Sequence, residues 1–182
     1  MASENYCEYR DEVFLTKLRV EHLIPDLRTF WPRGGPVWDG LGVVAGSTGQ
    51  DGVLLVEAKS HLSEVAGSWC ACRAGKTSRR RFEERFSHVK RALGVKQEAE
   101  WLTDYYQSAN RLAHLEFFLT HGVPAWLVHV YFVGDSCCWE DAPDDAGQWS
   151  ASLVAVKNGL GLLDDHPREQ QTIYVFPPAV PS

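Results

Sequence analysis

The amino-acid sequence predicts an α/β protein with a mixed central β-sheet flanked by helices. Two short apolar runs within residues 37–59 are rich in Val and Leu and bounded by Gly, which is typical of buried strands. Longer segments before and after these runs carry apolar residues at steps of three and four, which is the period of a helix. Strands and helices then alternate toward the C-terminus, so the predicted order is α-β-β-insert-α-β-α-β.

The N-terminal half begins with a predicted helix over Asp11–Phe30. The apolar stripe of this helix consists of Val13, Leu15, Leu18, Leu23 and Leu27. Pro25 lies inside the pattern, so we expect it to kink or end the helix. Two strands follow, over Val37–Ala45 and Val53–Lys59, and the glycine-containing segment between them predicts an antiparallel hairpin.

The C-terminal half contains the strongest helical pattern, over Gln97–His121, with Gly122 as its stop signal. The apolar run Ala125–Val133 predicts a buried strand. Residues 61–96 form a basic insertion in which we expect one short helix around Phe82–Leu93. The remaining predicted elements are an acidic loop over Asp135–Asp145, a helix near Trp149–Leu160 and a last strand over Thr172–Phe176.

Length and composition limit the class of protein. The 182 residues fit one domain, over residues 1–182. No stretch approaches the ~20 apolar residues of a membrane span, and the polar start Met1–Asn5 is unlike a signal peptide, so we expect a cytoplasmic protein that does not bind membranes. The cysteines at 70 and 72 and at 137 and 138 are spaced too closely for a structural zinc site, which favours reduced thiols.

Three charged residues lie where the two strands of the hairpin meet. Glu57 and Lys59 are two positions apart at the end of the second strand, so their side chains point to the same face. Asp39 begins the first strand, and the start of one hairpin strand lies beside the end of the next. We therefore expect these three side chains to cluster at one edge of the sheet. Two carboxylates beside a lysine predict a site for a divalent metal with a cationic neighbour.

An Asp followed eighteen positions later by Glu-x-Lys resembles the motif of the PD-(D/E)xK nuclease superfamily, which includes restriction enzymes and junction resolvases. The sequence departs from the motif in that Trp38, not proline, precedes Asp39; Pro36 lies two positions earlier than Trp38. Residues 30–33 and 106–115 also resemble those of uncharacterised bacterial members. The resemblance implies a restriction endonuclease-like core and a Mg²⁺- or Mn²⁺-dependent nuclease.

The resemblance also assigns roles to residues. Asp39 and Glu57 would hold the metal, with the Ala58 backbone carbonyl as a third ligand. Lys59 would orient the attacking water and stabilise the transition state. In this superfamily the helix after the hairpin often lends a polar side chain to the site, which points to Gln107. A first-helix glutamate often joins the metal ligands, and both Glu12 and Glu21 are candidates.

The basic insertion predicts contact with a phosphate backbone. Residues 61–96 contain nine Lys or Arg against three Glu, whereas the rest of the chain has a net charge of −12. The residues expected to bind nucleic acid are Arg79, Arg80, Arg81 and Arg85. DNA is favoured over RNA as the substrate. A simpler alternative is a solvated insertion whose arginines pair with the acidic remainder.

Other interpretations of the same residues stay open. Glu57 and Lys59 could form a surface ion pair near an unrelated Asp39. The chain could also be a binding module for nucleic acid or protein that keeps the nuclease fold without catalysis, or a hydrolase of small phosphate esters. His61 is placed at the rim of the site, and His129 is a buried core histidine with satisfied hydrogen bonds. By analogy alone, a nuclease that cuts a duplex suggests a homodimer.

Overall fold

One mixed β-sheet forms the centre of the computed structural model. Strand β1 (Gly40–Val44) pairs antiparallel with β2 (Gly52–Lys59), which runs parallel to β3 (Ala125–Tyr131), and β3 runs parallel to β4 (Thr172–Val175). The structure describes residues 9–47, 49–67, 71–136 and 139–179. The predicted α/β class with a mixed sheet is confirmed.

Five α-helices within the described ranges accompany the sheet. They are α1 (Glu12–Lys17), α2 (Ile24–Phe30), α3 (Lys76–Leu93), α4 (Tyr106–Thr120) and α5 (Ala146–Leu160). Short 3₁₀ helices cover Glu21–Leu23, Leu62–Glu64 and Glu169–Gln171. Among the residues that the structure describes, no helix is long and apolar enough to cross a membrane.

The predicted helix Asp11–Phe30 is wrong in its continuity, because the chain forms two helices there. Arg19 adopts a left-handed backbone conformation with φ of 61°, and the amide of Val20 bonds back to the carbonyl of Leu15 at 3.0 Å. These are the features of a helix C-terminus, and they end α1. Pro25 does not kink a helix but lies in the first turn of α2, where its missing N–H costs nothing.

Helix α3 is longer than expected. The predicted helix Phe82–Leu93 is present but begins six residues earlier, at Lys76, in a basic stretch without apolar spacing. The side chains that α3 buries in the common core are Phe82, Phe86, Val89 and Leu93. The apolar face of α3 is therefore part of the hydrophobic core, whereas basic side chains such as Arg80 and Arg81 are exposed to solvent. Gly94, with φ of 71°, ends the helix.

Helix α4 is shorter than the predicted Gln97–His121, because turns cover residues 97–105. Trp101 contributes to the apolar pattern from within these turns, and its indole N–H donates to the carbonyl of Leu160 at 2.9 Å. The helix is buried on most of its surface, and its buried residues include the polar side chains of Asn110, Arg111 and His114. Polar groups on α4 must therefore find partners inside the protein.

The other predicted elements are confirmed with small shifts at their ends. Strands β2, β3 and β4 lie within two residues of their predicted bounds, whereas β1 begins at Gly40 rather than Val37. Helix α5 starts at Ala146, three residues earlier than predicted, because the Asp145 carboxylate caps it by accepting from the amide of Gln148 at 2.9 Å.

The topology places the ends of the two central strands together. Glu57 pairs with His129 and Lys59 with Tyr131 in the parallel ladder of β2 and β3. Helix α4 packs on β3 and against α3, so side chains on its first two turns reach the same end of the sheet. Asp39, Glu57, Lys59 and Gln107 meet at this end of the sheet.

The burial of α3 can be tested with a pair of substitutions on that helix. Phe86 is 1% exposed, so we expect Phe86→Ala to lower the free energy of unfolding by about 3–5 kcal/mol through the lost contacts and the remaining cavity. The exposed neighbour Glu83 provides the control, because Glu83→Ala should change it by less than about 0.5 kcal/mol. Urea unfolding followed by circular dichroism measures both. Equal small losses would show that α3 is detached from the core.

Candidate functional site

The structure brings Asp39, Glu57 and Lys59 together at the edge of the sheet. The amide of Ala58 donates a hydrogen bond to Asp39 Oδ2 at 2.8 Å. Lys59 Nζ lies 2.7 Å from Glu57 Oε1. The antiparallel register of β1 and β2 produces this arrangement, because Gly40 pairs with Val56 and the preceding residue, Asp39, therefore reaches the level of Glu57.

Glu57 is buried and binds a second cation from α4. Arg111 Nε donates to Glu57 Oε2 at 2.7 Å, and Arg111 Nη2 donates to the carbonyl of Val37 at 3.0 Å. The guanidinium also lies over the ring of Trp38, 4.9 Å from its centroid. Asp39, Glu57, Lys59 and Arg111 are named the Glu57 cluster below. This cluster links the entry to β1, the end of β2 and the body of α4.

The two carboxylates of the Glu57 cluster have opposite pKa shifts. Burial acts to raise the pKa of Glu57, but the charges of Arg111 and Lys59 outweigh it and hold that pKa below the ordinary value. Asp39 is exposed, yet the protein on its inner side desolvates it, and this raises the pKa of Asp39 despite the hydrogen bond from Ala58. An added cation would therefore stabilise the ionised form of Asp39 more than that of Glu57, which already has two cationic partners.

A cleft of about 450 Å³ opens beside Lys59. The residues that line this Lys59 cleft are Lys59, His61, Ser63, Glu64, Gln107, Trp139 and Asp141. Trp139 is 46% exposed, and its ring stacks on His61 with 4.1 Å between centroids. Gln107 Oε1 is buried beside Lys59 and has no hydrogen-bond partner among the described residues. The cleft therefore offers a flat aromatic surface next to the lysine, with the unpartnered Gln107 oxygen buried beneath it.

The loop after β2 is held in place by its own side chains. The Glu64 carboxylate accepts from the amide of Ser60 at 2.8 Å. Asp141 accepts from the amide of Ser63 at 2.8 Å and lies 3.3 Å from His61 Nδ1. As the sequence predicts, His61 lies at the rim of the site. Its ring is fixed by the loop, so the stacked Trp139 has a rigid partner.

His129 is buried beside Glu57, between two aromatic rings. It stacks on Tyr131 and Tyr174, with centroid distances of 5.6 and 5.3 Å. Burial lowers the pKa of His129 to about 4, so the imidazole is neutral at physiological pH. The expectation of a satisfied core histidine is half right, because His129 Nδ1 has no partner among the described residues.

The other predicted site residues lie elsewhere. Glu12 forms an ion pair with Arg28 at 2.5 Å, and no contact joins Glu12 or Glu21 to the Glu57 cluster in the described part of the chain. The four arginines of α3 are also separate from it. Arg80 pairs with Glu84 at 3.4 Å, and Arg85 donates to the carbonyl of Thr29 at 2.9 Å.

The donor atoms at this edge suit Mg²⁺, which prefers oxygen ligands. Asp39 Oδ1 accepts no hydrogen bond from the described residues, and the Ala58 carbonyl points to the Asp39 side because its amide does. The second carboxylate is that of Glu57, whose two oxygens are bound to Lys59 and Arg111. No group of three His, Cys, Asp or Glu side chains that could hold a metal occurs in the described ranges, so the fit rests on two carboxylates and one carbonyl. Cysteines 70, 137 and 138 lie outside those ranges.

Arg111 and Trp139 are the site residues that the sequence did not reveal. Arg111 lies one helical turn after Gln107, so the spacing places both on one face of the helix. That spacing indicates a shared face but not a partner across the sheet. Trp139 lies in the acidic loop, where an isolated aromatic residue gives no signal.

Comparison of the chain with protein-family models, with curated proteins and with solved structures found no match. The fold and the site therefore define the protein as an α/β chain with a polar cluster at the end of its two central strands.

The two carboxylates can be distinguished by stability at pH 7. Glu57→Gln leaves Lys59 and Arg111 without their buried counter-charge, so we expect a loss of about 3–5 kcal/mol in the free energy of unfolding. Asp39→Asn should keep or increase that free energy, because the fold disfavours the ionised Asp39 and an amide oxygen still accepts from Ala58. Urea unfolding measures both, and equal effects would contradict the assigned roles.

Buried His129 should make the fold sensitive to acid. Its pKa is lower in the folded chain than the ordinary 6.5, so the unfolded chain binds more protons between pH 6.5 and about 4. Stability is then full above pH 6.5 and falls as the pH drops toward 4. His129→Phe should reduce this slope by up to about 1.4 kcal/mol per pH unit. Thermal unfolding between pH 4 and 8 measures this pH dependence. Part of the slope of stability against pH should remain in the variant, because burial also lowers the pKa of His114, to about 3. Identical pH profiles would contradict the assignment.

Proposed function

We propose that this chain is a Mg²⁺-dependent nuclease with a restriction endonuclease-like core. The observation that carries the proposal is the contact of Asp39 with the Ala58 amide, because it sets the first acidic residue against the Glu-x-Lys strand end. The resemblance of the sequence to the PD-(D/E)xK superfamily rests on the same three residues. The proposal therefore combines a motif with the juxtaposition that the motif requires.

Each residue of the Glu57 cluster has a role in phosphodiester hydrolysis. Asp39 and Glu57 would hold the metal, together with the Ala58 carbonyl. When bound, the metal activates a water as the nucleophile and polarises the phosphoryl oxygen. Lys59 orients the attacking water and stabilises the charge that develops on the phosphate. Gln107 Oε1 is buried without a described partner, so its carbonyl oxygen would be free to accept a hydrogen bond from a water bound beside Lys59.

Arg111 sets the electrostatics of the proposed site. The two carboxylates and two cations of the Glu57 cluster sum to a net charge of zero when all are ionised. A neutral donor set binds a divalent cation weakly, since little net attraction offsets the loss of the ion's hydration. A phosphate oxygen adds negative charge and a further ligand. We therefore expect metal and phosphate to bind cooperatively, with Glu57 and Asp39 as the residues that would hold the metal.

The Lys59 cleft suits nucleic acid as the substrate. Trp139 presents an exposed ring beside Lys59, and stacking of a base on such a ring contributes about 1–3 kcal/mol. We favour DNA over RNA, as the resemblance implies. Among the described residues, Lys59 is the cation that the cleft offers to a phosphate, because the predicted arginines of α3 do not line it and Arg111 is buried against Glu57. Glu64 and Asp141 line the same cleft.

A second candidate is a non-catalytic binding module, and one observation favours it. Both oxygens of Glu57 are occupied by cations, which is the arrangement of a structural ion pair. In that case the Glu57 cluster fixes α4 to the sheet, and the Lys59 cleft binds nucleic acid without hydrolysis. Its affinity would then fall with salt, with a shallow slope because Lys59 is the one Lys or Arg in the described ranges that lines the cleft.

Cleavage assays separate the two candidates. Labelled single- and double-stranded DNA and RNA are incubated with Mg²⁺, Mn²⁺ or EDTA. We expect metal-dependent cleavage that falls by at least about 10²-fold in Asp39→Asn and in Lys59→Met, because each loses a group that acts on the transition state. Asp104→Asn and Lys76→Met change exposed residues in the same way outside the cleft, and they should retain wild-type rates.

Three results would overturn the nuclease proposal. Unchanged cleavage by both site variants would place the reaction elsewhere. Salt-dependent binding without cleavage by any metal would support the binding module. Hydrolysis of bis(p-nitrophenyl) phosphate without action on any oligonucleotide would support a hydrolase of small phosphate esters.

A further inference from the structure

A second cavity lies on the other side of the segment that leads into β1. Its volume is about 540 Å³, within the range of about 300–1,000 Å³ that is usual for small-molecule sites. Its lining includes Phe14, Trp31, Arg33, Gly35, Arg81 and His114, and we name this space the Trp31 cavity. It shares no lining residue with the Lys59 cleft.

Two buried polar atoms of the Trp31 cavity have no partner among the described residues. They are Trp31 Nε1 and His114 Nε2. The side chains belong to residues that are only 4% and 0% exposed. A buried polar group without a hydrogen bond costs about 1–3 kcal/mol, so both groups need a partner that the described residues do not supply, which is a water or a ligand in the cavity.

The hydrogen-bonding character of both atoms is fixed. The indole Nε1–H of Trp31 can only donate. His114 Nδ1 lies 2.9 Å from the carbonyl of Asn110, which can only accept, so Nδ1 carries the proton and Nε2 is an acceptor. Burial lowers the pKa of His114 to about 3 and keeps the ring neutral. The wall therefore presents one donor and one acceptor.

Gly35 shows that the donor and the acceptor flank the same space. A Cβ atom added to Gly35 would lie 4.0 Å from both Trp31 Nε1 and His114 Nε2. The two rings meet edge to face, 4.9 Å apart, and Phe14 lines the same space. A flat ring with an acceptor and a donor on neighbouring edge atoms complements this wall, and nucleobases have such edges.

Positive charge lies at the rim of the Trp31 cavity. Arg33 and Arg81 are exposed, and Arg81 makes no ion pair or hydrogen bond with any residue that the structure describes. Arg28 also lines the cavity, but its guanidinium is already held by Glu12 through two hydrogen bonds. The carboxylates of Asp11 and Glu12 also line the cavity; Asp11 accepts from the amides of Gly34 and Gly35, and Glu12 is held by Arg28. Arg33 and Arg81 suit a phosphate group outside a buried base.

We propose that the Trp31 cavity binds a nucleoside monophosphate, with the base edge on Trp31 and His114 and the phosphate at Arg33 and Arg81. This site is separate from the proposed nuclease centre and does not depend on it. A mononucleotide is the class of small molecule that combines a flat ring, a donor–acceptor edge and an anionic group.

Isothermal titration of the full chain with AMP, GMP, CMP and UMP tests the proposal. EDTA is present throughout, and the Asp39→Asn variant is titrated in parallel, so binding at the nuclease centre cannot account for the heat. We expect at least one nucleotide to bind both proteins equally. Binding that disappears in Asp39→Asn overturns the proposal. The absence of binding by any nucleotide up to about 10 mM also overturns it, because a weaker affinity would not be specific.

Matched variants locate the site. Gly35→Ala places a methyl group between Trp31 and His114 at ordinary contact distance, and Gly75→Ala adds one in open space on the surface. We expect Gly35→Ala to weaken binding by at least about tenfold and Gly75→Ala to leave it unchanged. Equal affinity in the two variants overturns the location.

Two further variants test the assigned contacts. Trp31→Phe removes the N–H but keeps a ring, and it should weaken both the nucleoside and its monophosphate by about tenfold. Arg81→Ala should weaken the monophosphate but not the nucleoside. Thermal unfolding of each variant shows whether it is folded. Arg81→Ala, which changes an exposed side chain, keeps the proposal testable if Trp31→Phe is unstable, and equal monophosphate affinity in Arg81→Ala and wild type overturns it.

Discussion

The buried ion pair of Glu57 and Arg111 is the interaction on which the geometry of the candidate site depends. Through it α4 is joined to the end of β2, and the second hydrogen bond of Arg111, to Val37, fixes the approach to β1. Asp39 follows Val37 by two residues, so its position depends on the same contact. A guanidinium can make both bonds at once because its donors point in fixed directions, which a lysine at this position could not reproduce.

A buried ion pair contributes little net free energy to the stability of a fold. Removing two charges from water costs several kcal/mol per ion, and apolar residues of the same size often stabilise a protein as well or better. The Glu57 cluster therefore needs a reason beyond stability. Lys59 adds a second cation to the same carboxylate, and His129 beside it has an unpartnered nitrogen. Clusters of charged and polar groups that are buried despite the desolvation cost are typical of functional sites. The Glu57 cluster therefore supports the proposed chemistry.

Prediction from the sequence succeeded where the signal is local. Strand β2 is recognisable because a dense apolar run ends in charged residues, and the hairpin register then placed Asp39 beside Glu57 and Lys59. The break at Arg19 was not predictable, because a left-handed conformation at a residue other than Gly leaves no trace in the composition. The partner of Arg111 was hidden for another reason. It lies 54 positions away, so only the packing of α4 on the sheet could identify it.

Trp38 contacts both Arg111 of the Glu57 cluster and His114, which lines the Trp31 cavity. Arg111 contacts one part of its ring at 4.9 Å, and His114 meets it with 6.2 Å between centroids. Groups that share a packing partner at such short range do not contribute additively to stability or binding. Substitutions at Arg111 and at His114 are therefore expected to be coupled through this one indole ring, whereas Asp39 has no described contact with it. A change at Arg111 that moves the Trp38 ring would also change the packing of His114.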